Sequence, residues 1–292
     1  FGQDSSFAGN LTAQGNQDDN EIGDFYHDVP AGFLALCTSN LPDPEIADPT
    51  DHFNTKLYTG DGATTLAVTG VGFAPDFTWI KNRDQADKNI LVDEVRGATK
   101  YIVSNDTAVE VDDSTFVASL DSDGFTVGDD VVVNTNTENY VSWNWKGDGV
   151  AGGTTNNDGD IPSQVNVNTT AGFSIVAYTG TEVQGDTVGH GLSQKPELVF
   201  TKNLGTIFNW VVSTGNVTGT LNQYLVLNGD AAANTNQYYW DNTNPGASTI
   251  QFWNSAATNQ SATAMLAYCF HSVEGYSKIG TYVGNEDADG TF

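Results

Sequence analysis

The stretch Phe53-Asn54-Thr55-Lys56-Leu57-Tyr58-Thr59-Gly60 returns later in the chain as Phe173-Ser174-Ile175-Val176-Ala177-Tyr178-Thr179-Gly180. Three more blocks follow in the same order. Pro75-Asp76-Phe77-Thr78-Trp79-Ile80-Lys81-Asn82 is matched by Pro196-Glu197-Leu198-Val199-Phe200-Thr201-Lys202-Asn203. Lys100-Tyr101-Ile102-Val103-Ser104-Asn105 is matched by Gln223-Tyr224-Leu225-Val226-Leu227-Asn228, and Val141-Ser142-Trp143-Asn144-Trp145-Lys146 by Leu266-Ala267-Tyr268-Cys269-Phe270-His271. Four blocks in one order, with an offset that grows slightly through loop insertions, define a tandem repeat.

Each block is a short run of Val, Ile, Phe, Tyr and Trp, bounded by Gly, Asn, Asp or Pro. That is the composition of strands separated by tight turns. Asp61-Gly62, Asp123-Gly124, Asp148-Gly149 and Asn228-Gly229 supply turn chemistry. In 140–146 alternation puts Val141, Trp143 and Trp145 on one face, expected to be the core face, and Tyr140, Ser142, Asn144 and Lys146 on the other. No helix of useful length is expected. Residues 83–97 come nearest, and Ala231-Ala232-Ala233 offers one turn. The pattern predicts an all-β chain of two tandem sandwich or jelly-roll-like repeats. The divisions are a polar lead-in with a Pro-rich connector over 1–50, a first repeat over 51–147, a Gly/Asn/Thr-rich linker over 148–170, a second repeat over 171–274, and the start of a third over 275–292. Within the lead-in, Val29–Cys37 reads as one strand or a buried turn. The third copy rests on Gly275–Gly284, which resembles the opening strand of each repeat. Its breaking off leads to the expectation of a longer native chain.

The 292 residues carry 37 carboxylates against 10 Lys plus Arg, a formal charge of -27. Such a surface repels phosphate and offers no basic stripe, so nucleic-acid partners and anionic membranes are disfavoured. It suits a saline exterior, where salt screens carboxylate repulsion. No apolar run is long enough to span a membrane, and no signal-peptide pattern is present. With 15 Phe, 11 Tyr and 6 Trp there is ample material for cores. Cys37 and Cys269 stand in apolar runs far apart, which reads as two buried free thiols, with a disulfide between them the alternative.

Catalytic pairings are sparse. His27, His52, His190 and His271 form no metal or nucleophile motif, and Gly70-Val71-Gly72 is a turn rather than a dinucleotide loop. Asp93-Glu94 and Asp112-Asp113 could serve a glycosidase only if folded to the right separation. No enzyme activity and no organic cofactor is expected. The acidic loops around Asp121-Ser122-Asp123-Gly124, Asn156-Asn157-Asp158-Gly159-Asp160 and Asn285-Glu286-Asp287-Ala288-Asp289-Gly290 alternate hard oxygen donors with Gly. Asp121 and Asp123 are therefore candidate calcium ligands, with a plain β-turn as the alternative. Trp240, Tyr239 and Trp253, with Tyr238 and Trp210 among Asn and Gln, are candidate glycan-stacking rings, with core packing as the alternative.

The repeated blocks, with Val95-Arg96-Gly97-Ala98-Thr99-Lys100-Tyr101, Asp121-Ser122-Asp123-Gly124-Phe125-Thr126-Val127-Gly128 and His271-Ser272-Val273-Glu274-Gly275-Tyr276-Ser277-Lys278, resemble a tandem β-repeat domain of large virion-associated proteins of marine tailed bacteriophages. The likeness spans roughly 30–292. Phe1-Gly2-Gln3-Asp4-Ser5-Ser6 with Gly9-Asn10 looks like the tail of a lectin-like sandwich domain. The resemblance implies no catalytic residues. It implies a structural role in the particle, as a tail fibre or surface appendage at the virion exterior. The expected partners are other virion proteins, further copies of itself and a host-surface glycan. Capsid decoration and a secreted bacterial carbohydrate-binding or adhesive module are the alternatives, and a polysaccharide-degrading enzyme is the remotest.

Overall fold

The computed structural model describes residues 10–285 apart from 13 and 42. The Phe1–Ser6 motif and the Glu286–Gly290 part of the last acidic loop lie outside the described residues. The chain forms two compact units, Phe1–Ala47 and Asp48–Phe292.

In the first unit Asp18 is the organising group. Its Oδ1 accepts the amides of Asn20 and Ile22, and its Oδ2 those of Ala35 and the Asn40 side chain. Residues 29–37 form neither a strand nor a buried turn, and Phe33 and Leu36 are exposed by 67% and 77%. Cys37 is only half-buried, whereas Cys269 is fully buried, and both are free.

The second unit is all-β. Its strands are β1 (Phe53–Thr59), β2 (Leu66–Thr69), β3 (Phe77–Asn82), β4 (Ile90–Asp93), β5 (Lys100–Val103), β6 (Val111–Asp112), β7 (Val117–Asp121), β8 (Gly124–Val127) and β9 (Asn139–Trp145). They continue as β10 (Thr154–Asn156), β11 (Ser163–Asn168), β12 (Phe173–Thr179), β13 (Thr187–Gly189), β14 (Leu198–Asn203), β15 (Val211–Ser213), β16 (Gln223–Val226), β17 (Asn234–Thr235), β18 (Thr249–Gln251) and β19 (Ala264–Phe270). Helices are single turns: α1 (Val131–Asn134), α2 (Gly215–Thr218), α3 (Gln237–Trp240) and α4 (Ala256–Asn259). None is long and apolar enough to cross a membrane. Residues 83–97 give β4 and turns, and Ala231–Ala233 no helix.

Two large antiparallel sheets share one plan. The first runs β1-β9-β3-β4-β5-β6 and the second β10-β11-β12-β19-β14-β15-β16-β17. Phe53 lies opposite Trp145 and Phe173 opposite Phe270; Phe77 lies opposite Trp145 and Leu198 opposite Phe270. The same side chains pin the same corners in both. Tyr58 Oη donates to Val133 O of α1, and Tyr178 Oη to Thr258 O of α4. Asn134 Oδ1 accepts from Asp61 N and Asn259 Oδ1 from Thr181 N, each at 2.9 Å. Gly60 and Gly180 end the opening strands because a Cβ there would collide with the carbonyl oxygen of Thr135 or Gln260.

Each large sheet buries one face under a smaller one. The first covers β2-β8-β7 around Ile80, Val92, Phe125, Val127 and Tyr140, and the second covers β13-β18 around Val176, Val188, Ile250, Phe252 and Met265. A third core joins the two large sheets face to face, with Phe77, Leu91 and Ile102 against Phe173, Trp210, Leu266 and Tyr268.

Three further expectations are corrected. First, in β9 the fully buried face is Tyr140, Ser142 and Asn144, while Val141, Trp143 and Trp145 are half-buried. Burial of the polar face is tolerable because it is hydrogen-bonded throughout: Asn144 Nδ2 donates to Asn54 O and Ser142 Oγ, and Thr78 Oγ1 donates to Asn144 Oδ1. Second, the stretch 148–170 contains β10 and β11, which extend the second sheet, with Val165 in its core. Asn166 sits buried in β11 because its Nδ2 donates to Asp76 Oδ1 at 2.6 Å. Third, 275–284 forms no strand. Val273–Ser277 closes a turn, and Tyr282 and Val283 are exposed. The opening strands β1 and β12 each lie along a seven-residue partner, β9 or β19, and 275–284 lies along none.

The joint between the sheets contains a buried charge. Arg96 Nε donates to Asp93 Oδ2 at 2.6 Å and Nη1 to Glu110 Oε2 at 3.1 Å; Tyr268 Oη, from the opposing sheet, donates to the same Asp93 oxygen at 2.7 Å. Burial works against the Arg96 charge, but Asp93, Tyr268 and Glu110 outweigh it and hold the guanidinium protonated. Removing one member strands the others in an apolar joint. Arg96→Ala is therefore expected to cost about 3–5 kcal/mol, and Tyr268→Phe about 1.5–3 kcal/mol. Urea unfolding would measure both, and a small loss in the Arg96 variant would contradict this role.

Candidate functional site

The sequence candidates fall in different places. Asp123 is a hairpin lock: its Oδ1 accepts Gly72 N at 2.7 Å and its Oδ2 Gly70 N at 3.0 Å, and these bonds hold its pKa below the usual carboxylate value. Asp121 accepts the hydroxyls of Ser119 and Thr126. All four oxygens thus accept hydrogen bonds, Asp121 within the β7-β8 hairpin and Asp123 from the turn that follows β2, so both acids serve as turn chemistry. No group of three or more His, Cys, Asp or Glu able to hold a metal ion occurs among the described residues. Asp158 Oδ2 accepts from Asn156 Nδ2, and Asp160 Oδ2 accepts from Thr187 N and Oγ1.

Of the aromatic candidates, Trp240 is fully buried in the second core, 5.8 Å from Phe252, and cannot stack on a sugar. Trp210 is buried in the joint, its Nε1 donating to Val103 O. Tyr239 is half-buried against Tyr224. Trp253 is half-buried, and the exposed Tyr238 meets it edge-on at 5.5 Å. Beside Tyr238 is a shallow polar hollow of about 400 Å³ lined by Leu221, Asn222, Thr235, Asn236 and Gln237. Asn222 holds its floor in the left-handed conformation (φ 59°), which Asn tolerates. It bonds Asn242 through both ends of its amide. An exposed ring beside fixed amides can stack on an apolar sugar face and bond hydroxyls.

A larger site was not among the sequence candidates. A half-open cavity of about 520 Å³ lies at the margin of the joint between the sheets. Its walls come from equivalent positions in the two repeats: Phe53 and Phe173, Trp79 and Phe200, Trp145 and Phe270. Tyr276 and Ile279 form part of its rim, from the stretch that follows β19. The repeat alignment contains the signal, since aromatic residues recur at all three pairs. What alignment alone lacks is the facing of one sheet by the other.

Several other ionisable groups are tied into the fold. Asp76 accepts Gly147 N, Gly149 N and Asn166 Nδ2; burial raises its pKa although these bonds oppose the rise. Its counterpart Glu197 binds the backbone and hydroxyl of Ser272. Lys202 is buried, its Nζ donating to the carbonyls of Thr107 and Phe208, and burial lowers its pKa to about 8. His190 is buried, with Nε2 against Gly246 O and Nδ1 accepting Leu192 N; burial depresses its pKa. Burial pushes the Cys269 thiol up to about 12.

A family model described as a domain of unknown function (DUF7483) matches residues 48–292. No curated protein and no solved structure matches the chain.

Two outcomes follow from this geometry. Asp123→Ala is expected to lower the melting temperature while a calcium chelator leaves that of the parent unchanged; a chelator-induced drop would restore the metal reading. For Lys202 the folded pKa lies below the unfolded value of 10.5. The charge therefore costs stability below about pH 8, and the cost is relieved as pH rises toward that unfolded value. Cys269 has the opposite sign, its contribution being lost above its unfolded value of 9. Between pH 8 and 9 the Lys202 contribution to stability should therefore rise, and Lys202→Met should remove that rise when unfolding is followed against pH.

Proposed function

The chain belongs to the DUF7483 family, and we propose that it serves as a structural protein of a phage particle, in a tail fibre or surface appendage, with the Tyr238 edge as a contact for host glycans. The observation that carries this is the division of labour among its polar groups. The buried ionisable side chains described above are committed to holding strands and sheets, while an aromatic ring flanked by fixed amides faces solvent. Such a chain is equipped to persist and to touch rather than to activate a nucleophile. The resemblance of its repeats to virion-associated β-repeats supplies the particle, and its charge suits an exterior surface. Weak contacts of this kind gain strength when copies act together, which is the part assigned to self-association and to other virion proteins.

Gold-labelled antibody against the native protein is expected to decorate a fibre or appendage on intact particles. Label spread over the capsid lattice would favour decoration instead, and particles without label would defeat the virion reading. On a glycan array the intact protein should bind a subset of saccharides and Tyr238→Ala should lose most of that signal. Binding indifferent to Tyr238→Ala would remove this edge as the contact.

A further inference from the structure

We propose that the aromatic cavity between the two sheets binds a quaternary ammonium group. This is independent of the particle role and of the Tyr238 edge. At about 520 Å³ the cavity is within the usual range for small ligands, about 300–1,000 Å³. Its six wall rings, Phe53, Phe173, Trp79, Phe200, Trp145 and Phe270, are joined at the rim by Tyr276. No Asp, Glu, Lys or Arg lines it. Two polar lining side chains, His271 and Ser277, are already engaged: His271 Nδ1 lies 2.9 Å from Gln194 Nε2, and Ser277 Oγ accepts Val273 N.

The other polar side-chain atoms of the lining are the indole N–H groups of Trp79 and Trp145, which donate and cannot accept, and the hydroxyl of Tyr276, so the cavity is poor in acceptors and holds no charged one. A primary ammonium has three N–H donors and would leave more than one of them unpaired among these rings, at a desolvation cost. An anion would meet the negative faces of the rings and a protein of formal charge -27. A fully alkylated ammonium has positive charge but no donor to orphan, and it is the cation that aromatic cages hold through ring quadrupoles, Trp best of all. The acidic surface raises its local concentration, which a neutral apolar ligand would not gain.

The test is calorimetric titration of the full chain with choline and tetramethylammonium chlorides at matched ionic strength. The comparison ligand is 3,3-dimethylbutan-1-ol, which has choline's shape with carbon in place of nitrogen. Saturable binding of the cations, about tenfold tighter than of the neutral isostere, is expected. Trp79→Leu removes a wall ring and Tyr276→Ala a rim ring, and each should weaken cation binding with the melting temperature checked alongside. If Trp79→Leu fails to fold, Tyr276→Ala decides. Binding of the free cations assigns a soluble ligand; cosedimentation with phosphatidylcholine vesicles, lost in the same variants, assigns a lipid headgroup. Equal binding of the isostere, binding unchanged in both variants, or no response to either cations or vesicles overturns the proposal.

Discussion

The face-to-face packing of the two large sheets is the contact on which the second unit depends. Phe77 and Tyr268 approach to 4.3 Å between ring centroids, and Trp210 reaches across to bond Val103 O. Each repeat has a sandwich core of its own, yet each also has a second apolar sheet face that no small sheet covers. Left apart, the repeats would expose those faces to water; together they bury them. The offset of the faces leaves a margin of half-covered rings, and that margin is the aromatic cavity.

This packing explains why the strands are legible in the sequence and the layers are not. Phe77-Thr78-Trp79-Ile80 and Phe173-Ser174-Ile175-Val176 announce strands by composition and alternation. In a sheet covered on both sides, alternation no longer says which face is the core. Ser142 and Asn144 look like a solvent face and are fully buried, because a hydrogen-bonded amide or hydroxyl is as admissible inside as a methyl group. The Gly-rich stretch before β12 looks like a tether for a related reason. Gln164-Val165-Asn166-Val167 alternates over too short a span to stand out among its Asn and Thr neighbours, and its ladder with β12, with Asn166 held by Asp76, is what makes it a strand of a sheet.

The candidate sites divide along the same line. Acidic turns are visible as motifs, but the motif does not say what the carboxylates touch. Asp61, Asp113, Asp130 and Asp148, like Asp123, each accept a backbone amide nearby. Much of the acidity is therefore turn chemistry rather than ligand supply. Aromatic residues are equally visible, but Trp240 and Trp253 have opposite fates, one in the core and one beside Tyr238 near the surface. Only the tertiary course of the chain separates them.

The tyrosine hydroxyl on Asp93 has one more consequence. Two halves built on the same plan invite mistaken partners, since a first repeat could meet another first repeat, on the same kind of sheet face, in a neighbouring molecule. At the position of Tyr268 the first repeat has Trp143, whose indole carries no hydroxyl to offer Asp93. Like meeting like would leave Asp93 its Arg96 partner but not the Tyr268 hydroxyl, one hydrogen bond fewer to a charged group in an apolar seam. The Tyr268 hydroxyl thus weights the seam toward a first repeat meeting a second rather than another first.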